Sequence, residues 1–171
     1  MTDMIAFVDP GMIDAVNCGF AAERSRALSF RFKTSKKGQF FLLPYNYANH
    51  WVLSVVNPET QVVYHLDPLK RRIASAEWME VVDNAIKLYK EKAKKMLKKK
   101  IVWENLAGVP VQNGSKDCEI YVMLFMKEIC EDKELEFCSK WLRRGNHTFN
   151  DDNVNEMKSV WARFFLKHHT C

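Results

Sequence analysis

The sequence predicts an α+β fold in which a sheet of mostly antiparallel strands is flanked by helices. Short runs rich in β-branched and aromatic residues lie between Phe40 and Asp67, and this composition is typical of strands. Two longer segments with helical character follow, one after Ser75 and one from Cys118. The chain has 171 residues, a length that suits one domain with a sizeable core. We therefore expect a single domain over residues 1–171.

The composition indicates an ordinary globular protein. Apolar residues make up 47% of the chain and charged residues 27%, a balance that is not typical of disordered or fibrous proteins. No segment approaches the roughly 20 apolar residues that a membrane helix needs, and the start of the chain lacks the basic flank of a secretory signal. We expect a monomer in the nucleus or the cytoplasm, without a membrane partner.

Three strand-like runs, FFLLP, HWVLSVV and QVVYHLD, occupy much of the segment from Phe40 to Asp67. NPET, a turn that contains proline, separates the last two runs. A turn of this kind joins neighbouring antiparallel strands. The run IVWENL, which begins at Ile101, is expected to add one more strand.

The net charge of +5 comes mostly from residues 87–100, where eight lysines accompany a single glutamate. Apolar residues recur at spacings of three and four through this region, which predicts an amphipathic helix from an N-cap at Ser75 to about Lys99. A solvated outer face accounts for the lysines. A nuclear-import signal or a nucleic-acid contact would need only the lysines, and no interleaved aromatic pattern supports it. We expect no nucleic-acid partner.

Two further helices are predicted after residue 117. The segment CEIYVMLFMKEIC, from Cys118 to Cys130, is apolar on nearly every face, so a helix there would be buried. Asp117 is expected to cap its start. The segment DDNVNEMKSVWARFFLKHH, at 151–169, predicts a closing helix with acids at its front and bases near its end. Its expected apolar face consists of Val154, Met157, Trp161, Phe164 and Phe165.

Five cysteines are present, at positions 18, 118, 130, 138 and 171, with no Cys-x-x-Cys pair. We expect free thiols, because the number is odd and a chain of this size does not need disulfides. The spacings of the cysteines and histidines match no zinc framework. The nearest approach, HHTC at the carboxyl terminus, is interpreted as a frayed end. No metal and no cofactor are expected.

Cys118 has two interpretations. A cysteine in the first turn of a helix lies near the positive end of the helix dipole and near free N–H groups, which favour thiolate and lower the pKa of the thiol. A buried cysteine is nevertheless most often a structural residue. Partners for catalysis are needed to decide between a nucleophile and a core residue.

A base and an acid for such a nucleophile stand at the ends of two predicted strands. His50 begins one strand and Asp67 ends the next, so antiparallel pairing would bring imidazole and carboxylate within reach of each other. On spacing alone, His50 is equally well a polar strand end and Asp67 a turn residue before Pro68. His65 is the rival base, but it lies in the middle of a strand without an evident acid.

Gln112 lies six residues before Cys118, in a loop that contains Gly114. If this loop folds back over the helix start, the Gln112 amide and the backbone N–H of Cys118 would form an oxyanion hole for a tetrahedral intermediate. A loop glutamine without a catalytic role is the alternative.

The residues of this constellation stand in the following order in the chain: His50-Trp51, Asp67, Gln112 and Asp117-Cys118. The order and the intervals resemble those of the ubiquitin-like-protein-specific cysteine proteases of the SUMO-protease type, a family related to the adenovirus endopeptidase. The resemblance covers roughly residues 38–168. FLLPYNYANHWVLSVVNPETQVVYHLDPL, YVMLFMKEI and VWARFF look like the plant branch, many of whose members lie in transposon-derived reading frames.

The resemblance implies a papain-like fold with the histidine strand before the cysteine helix, and cleavage after the Gly-Gly tail of a SUMO-like modifier. It implies four catalytic roles: Cys118 as nucleophile, His50 as general base, Asp67 as orienting acid and Gln112 as oxyanion donor. It also implies that Trp51 lines the channel that holds the tail, and that Asp117 is a further substrate-binding residue.

Two features depart from the family pattern. Glu119 stands where the family normally has a glycine after the nucleophile. The Trp- and Leu-containing segment that begins the family's domain, and forms the other wall of the channel, is not found in residues 1–37, so we expect a truncated domain with a half-built channel. The alternative function is therefore a pseudoprotease that binds the modifier without cleaving it.

Overall fold

The structure is a computed structural model that describes residues 4–15, 18–70, 74–98, 100–114, 116–145 and 147–169. Within these residues one sheet contains five strands: β1 Ile5–Phe7, β2 Phe40–Tyr47, β3 His50–Asn57, β4 Val62–Leu66 and β5 Val102–Asn105. The α-helices are α1 Ala21–Phe32, α2 Ala76–Lys92, α3 Cys118–Glu131, α4 Phe137–Arg144 and α5 Asp151–His169. The fold is α+β, as the sequence predicts.

The strands lie in the sheet in the order in which they occur in the chain. β2, β3 and β4 are antiparallel neighbours, whereas β1 and β5 run parallel to β2 and β4 at the two edges. The predicted antiparallel strands are confirmed, and the run that begins at Ile101 contains β5. Leu53 pairs with Leu66, so the start of β3 and the end of β4 lie at the same end of the sheet.

The sheet separates two apolar clusters, because successive residues of a strand point to opposite faces. Val52 and Val56 of β3 belong to the cluster that α1 and α2 cover. Leu53 and Val55 belong to the cluster that contains α3. The buried side chains of α3 include Ile120, Tyr121, Leu124, Phe125 and Ile129. The prediction of a buried helix that begins at Cys118 is confirmed.

α2 ends at Lys92, earlier than the sequence predicts; the predicted end at Lys99 lies outside the described residues. Ala93 caps the helix, and Lys94 follows with a left-handed φ of +52°. The chain turns here to reach the sheet, where the Lys98 N–H donates to Oε1 of Gln61 at 2.6 Å. Helical periodicity in the sequence could not reveal this competing contact with the β3–β4 turn.

The prediction that the lysines of this region lie on a solvated face holds only in part. Lys90 is buried, and its ammonium group donates to the Glu59 carbonyl oxygen at 2.6 Å. Met96, which belongs to the predicted apolar face, is 88% exposed. Both departures follow from the early end of α2 and from its packing beside the β3–β4 turn.

α5 closes the fold over its first half only. Val154 is buried and Met157 packs beside it, against the cluster that contains α3. Trp161, Phe164 and Phe165 are about half exposed. Only the first part of the predicted apolar face is therefore covered, because the helix continues beyond the surface of α3 on which its first turns rest.

Candidate active site

The β2–β3 hairpin places His50 at the end of the sheet. Its two turn residues, Ala48 and Asn49, both have left-handed φ angles, of +50° and +62°. Tyr47 pairs directly with His50, so the hairpin is as tight as a two-residue connection allows. The position of His50 is therefore fixed by the pairing of the strand that it begins.

His50 and Asp67 form a buried hydrogen-bonded pair. The Nε2 atom of His50 lies 2.8 Å from Oδ1 of Asp67, and the two residues are 8% and 6% exposed. The Leu69 N–H donates to the same oxygen at 2.7 Å, which holds the carboxylate in place. The predicted adjacency of these strand ends is confirmed. Because Nε2 faces Asp67, Nδ1 is the ring nitrogen left for a reacting group.

Cys118 lies beside this pair at the start of α3. The Trp51 N–H donates to the Cys118 sulfur at 3.4 Å. Trp51 follows His50 directly, so this contact ties the first turn of α3 to the first residues of β3. Cys118 is 5% exposed. A thiol, an imidazole and a carboxylate thus lie at the same end of the sheet.

The electrostatic environment of Cys118 favours the thiol. Burial raises the pKa of Cys118 above its ordinary value of 9.0, and the neighbouring Glu119 carboxylate raises it further. The backbone N–H groups of Trp51 and Glu119 act in the opposite direction without outweighing them. The helix start thus acts on this pKa in the expected direction, but it is outweighed, because desolvation and a nearby negative charge both disfavour thiolate.

Gln112 is held in the loop that leads to α3. Its backbone N–H donates to the Pro68 carbonyl at 3.0 Å, which links the loop to the residue after Asp67. Its Nε2 donates to the Gly114 carbonyl at 2.7 Å, and Gly114 has a left-handed φ of +95°. A side-chain amide has two N–H donors, so one remains for a ligand. Gln112 is 5% exposed.

Trp51 lines a cleft of about 630 Å³ beside the pair, together with Pro10, Gly11, Asp14 and other residues. Part of the segment 1–37 therefore does border this cleft, although the residues that it contributes carry no aromatic ring. Further aromatic lining, which the sequence did not reveal, comes from β2 through Tyr45 and Tyr47. Its only signal was the position of Tyr47 immediately before the turn.

Asp117 does not cap α3 through its side chain, and His65 is not the histidine that pairs with a carboxylate. The Asp117 side chain makes no capping hydrogen bond to α3; its carboxylate instead pairs with the Lys158 ammonium of α5 at 2.7 Å. The expectation of a side-chain cap is wrong, because the salt bridge turns the carboxylate toward α5. His65 is buried in the middle of β4, and burial lowers its pKa. His50, not His65, carries the carboxylate partner.

Two negative findings concern the described residues. None of their helices is long and apolar enough to cross a bilayer. No three of their histidine, cysteine, aspartate or glutamate side chains form a group that could hold a metal ion.

A thiol at a helix start, and an imidazole and a carboxylate at two strand ends, are the residue types that cysteine proteases use. A family model described as the Ulp1 protease family, C-terminal catalytic domain, matches residues 20–164. The chain belongs to this family, and the resemblance seen in the sequence is confirmed. Its likeness to the plant branch stays a prediction. No curated protein sequence matches the chain.

Solved structures show the same fold. The SUMO protease Ulp1 with its catalytic cysteine oxidised to a sulfonic acid has a TM-score of 0.62 and 17% identity, over 96% of this chain and 69% of that one. The Ulp1 protease domain in complex with Smt3, the yeast ortholog of SUMO, has a TM-score of 0.63 and 16% identity, over 96% of this chain and 68% of that one. The Xanthomonas campestris effector XopD bound to ubiquitin has a TM-score of 0.55 and 15% identity, over 92% of this chain and 78% of that one.

Proposed function

We propose that this protein is a thiol protease or isopeptidase that cleaves after the Gly-Gly tail of a SUMO-like modifier, in the nucleus or the cytoplasm. One observation carries the proposal. His50 and Asp67 are hydrogen-bonded at 2.8 Å, and the Trp51 N–H holds the Cys118 sulfur beside them. The oriented base that a nucleophilic cysteine needs is thus present, at the end of the sheet where the thiol lies.

The first half of the reaction forms a thioester. His50 takes the thiol proton of Cys118, and the thiolate sulfur attacks the carbonyl carbon of the terminal glycine. The developing oxyanion accepts hydrogen bonds from the Cys118 N–H and from the free amide N–H of Gln112. His50 then donates its proton to the departing amine as the C–N bond breaks. Asp67 orients the imidazole and stabilises its charged form.

The second half regenerates the thiol. His50 takes a proton from water, the resulting hydroxide attacks the thioester carbonyl, and the C–S bond breaks. The modifier leaves with a free carboxylate, and the proton on His50 returns to the sulfur. Trp51 holds the Gly-Gly tail, because a flat ring suits two residues without side chains. Asp117 contributes to substrate binding from the turn before α3.

The second candidate is a pseudoprotease that binds the modifier without cleaving it. The observation that favours it is the Cys118 thiol donating to Oε2 of Glu119 at 3.5 Å. A thiol engaged in this way is held in its unreactive, protonated form. The two candidates therefore differ in chemistry at one sulfur and share the binding surface.

A SUMO-like modifier that carries an electrophile in place of its terminal glycine separates the two candidates. We expect a covalent adduct that peptide mass spectrometry locates on Cys118. Cys118→Ala should form no adduct. Cys130→Ala removes an exposed cysteine and should react like the wild type. Binding of the modifier without any adduct on Cys118 would contradict the protease and support the pseudoprotease.

A further inference from the structure

A chamber of about 300 Å³ lies behind the His50–Asp67 pair, where β2, β3 and β4 meet the start of α2. We call it the rear chamber. Besides the pair, His65, Tyr45 and Trp78 line it. The rings of Tyr45 and Trp78 are stacked, with their centroids 4.0 Å apart, and form an apolar wall. The chamber is thus bordered by this apolar wall and by the polar side chains of His50, His65 and Asp67.

His65 presents an unpaired nitrogen in this region. The residue is 5% exposed, and its Nδ1 atom is buried without a hydrogen-bond partner among the described residues. Burial lowers the pKa of His65 below its ordinary value of 6.5, although the charge of Asp67 acts in the opposite direction. The ring is therefore neutral at pH 7. Leaving a buried polar atom unpaired is costly, so a partner is expected.

Asp67 has capacity for one more hydrogen bond. Among the described residues, both hydrogen bonds to its carboxylate, from His50 and from Leu69, reach Oδ1. A carboxylate offers about four acceptor positions over its two oxygens. Oδ2 is therefore available on the same side chain that orients His50.

We propose that His65 is a positioning residue, whose Nδ1 atom is linked to the Asp67 carboxylate by water in the rear chamber. The chamber's volume of about 300 Å³ leaves room for several water molecules, each of which needs about 30 Å³ and two to four polar partners. Such a bridge fixes the plane of the carboxylate and thereby the orientation of the His50 ring. The effect on rate rests on the proposed protease function, but the orientation of the pair does not.

Three substitutions test the role of Nδ1. Asparagine places its amide near the position of Nδ1, glutamine reaches only toward Nε2, and leucine removes both nitrogens. The proton shared by His50 and Asp67 gives a downfield imidazole resonance, whose exchange with water reports on the pair without any substrate. We expect His65→Asn to keep the wild-type exchange rate. In His65→Leu and His65→Gln the rate should rise about fivefold to tenfold, the size of one hydrogen bond's net contribution.

Turnover of a Gly-Gly substrate provides the second readout. We expect kcat to fall by about the same factor in His65→Leu, with KM unchanged because His65 does not touch the substrate. If the leucine variant unfolds, the asparagine and glutamine variants decide the question alone. Equal exchange rates in these two polar variants would overturn the proposal. An inactive wild type with the expected exchange pattern would overturn the protease function and leave the bridge supported.

Discussion

The Cys118 thiol donates a hydrogen bond to the carboxylate of Glu119, the next residue in the first turn of α3, with 3.5 Å between Sγ and Oε2. Burial is the largest influence that disfavours thiolate, and the contact with Glu119 acts in the same direction because it stabilises the protonated thiol. The pKa of Cys118 is therefore raised above 9.0. We therefore expect this carboxylate, at a position where the family normally has glycine, to limit the reactivity of the sulfur at neutral pH.

Replacing Glu119 by glycine should raise the rate of Cys118 alkylation by iodoacetamide near pH 7. Only thiolate reacts, so the wild-type rate should still be climbing above pH 9, whereas the rise of the variant should occur at lower pH. Thermal unfolding should show that the free energy of unfolding falls by roughly 0.3–1 kcal/mol, because an acid in the first turn of a helix is stabilising.

Glu119→Gln separates charge from bulk. This variant keeps the size of the side chain and removes its negative charge, so it should share most of the gain in alkylation rate. A gain in the glycine variant alone would show that the side chain obstructs the site. If neither variant reacts faster than the wild type, the Glu119 carboxylate does not control the sulfur.

Gln112→Ala should lower kcat for a Gly-Gly substrate by about 10²–10³, the cost of one lost oxyanion donor. KM should change little, because the donor acts on charge that develops in the transition state. Gln112→Glu, which is similar in size but offers no N–H donor when ionised, serves as the matched variant. An effect confined to KM would mean that Gln112 only packs the loop.

Trp51→Ala should weaken capture of the Gly-Gly tail while leaving the thiol chemistry intact. We expect KM for a Gly-Gly substrate to rise and the alkylation rate of Cys118 by a small electrophile to stay at the wild-type value. The second measurement is the control, since the backbone N–H of Trp51 still reaches the sulfur in the variant. If the variant still prefers Gly-Gly over Ala-Ala tails as strongly as the wild type does, Trp51 does not line the channel.

Ala48→Gly should raise the free energy of unfolding by about 1 kcal/mol, because a residue with a Cβ is strained at the left-handed φ of Ala48. Ala85→Gly, in the interior of α2, is the matched control and should lower it by about 1 kcal/mol or more. Urea titration measures both changes. A loss of stability in Ala48→Gly would show that the hairpin turn is not strained.

The sequence was sufficient for the parts of the site that strand pairing determines. The alternation of strands and the proline-containing turn placed His50 beside Asp67, and the apolar run from Cys118 indicated the buried helix. These features depend on local patterns that repeat over many residues. Contacts between distant segments were less accessible: the salt bridge of Asp117 with Lys158 replaces the expected cap, and Gln61 meets the chain beyond the early end of α2.

The thiol pKa shows the same limit. The helix start alone predicts a lowered value, and this expectation ignores how deeply α3 is packed against the sheet. Burial is the largest cause of the opposite shift, and burial depends on the whole fold. Glu119 was visible in the sequence as a departure from the family, but its contact with the sulfur depends on a rotamer that no pattern specifies.

The most direct test of the central claim compares turnover of a SUMO-like modifier with a fluorogenic amide after its Gly-Gly tail. We expect no turnover with Cys118→Ala, almost none with His50→Ala, and a milder loss with Asp67→Asn, since Asp67 only orients and stabilises the imidazole. His65→Ala should lose far less than His50→Ala. Turnover by Cys118→Ala at the wild-type rate, or a His65→Ala variant more impaired than His50→Ala, would contradict this account of the site.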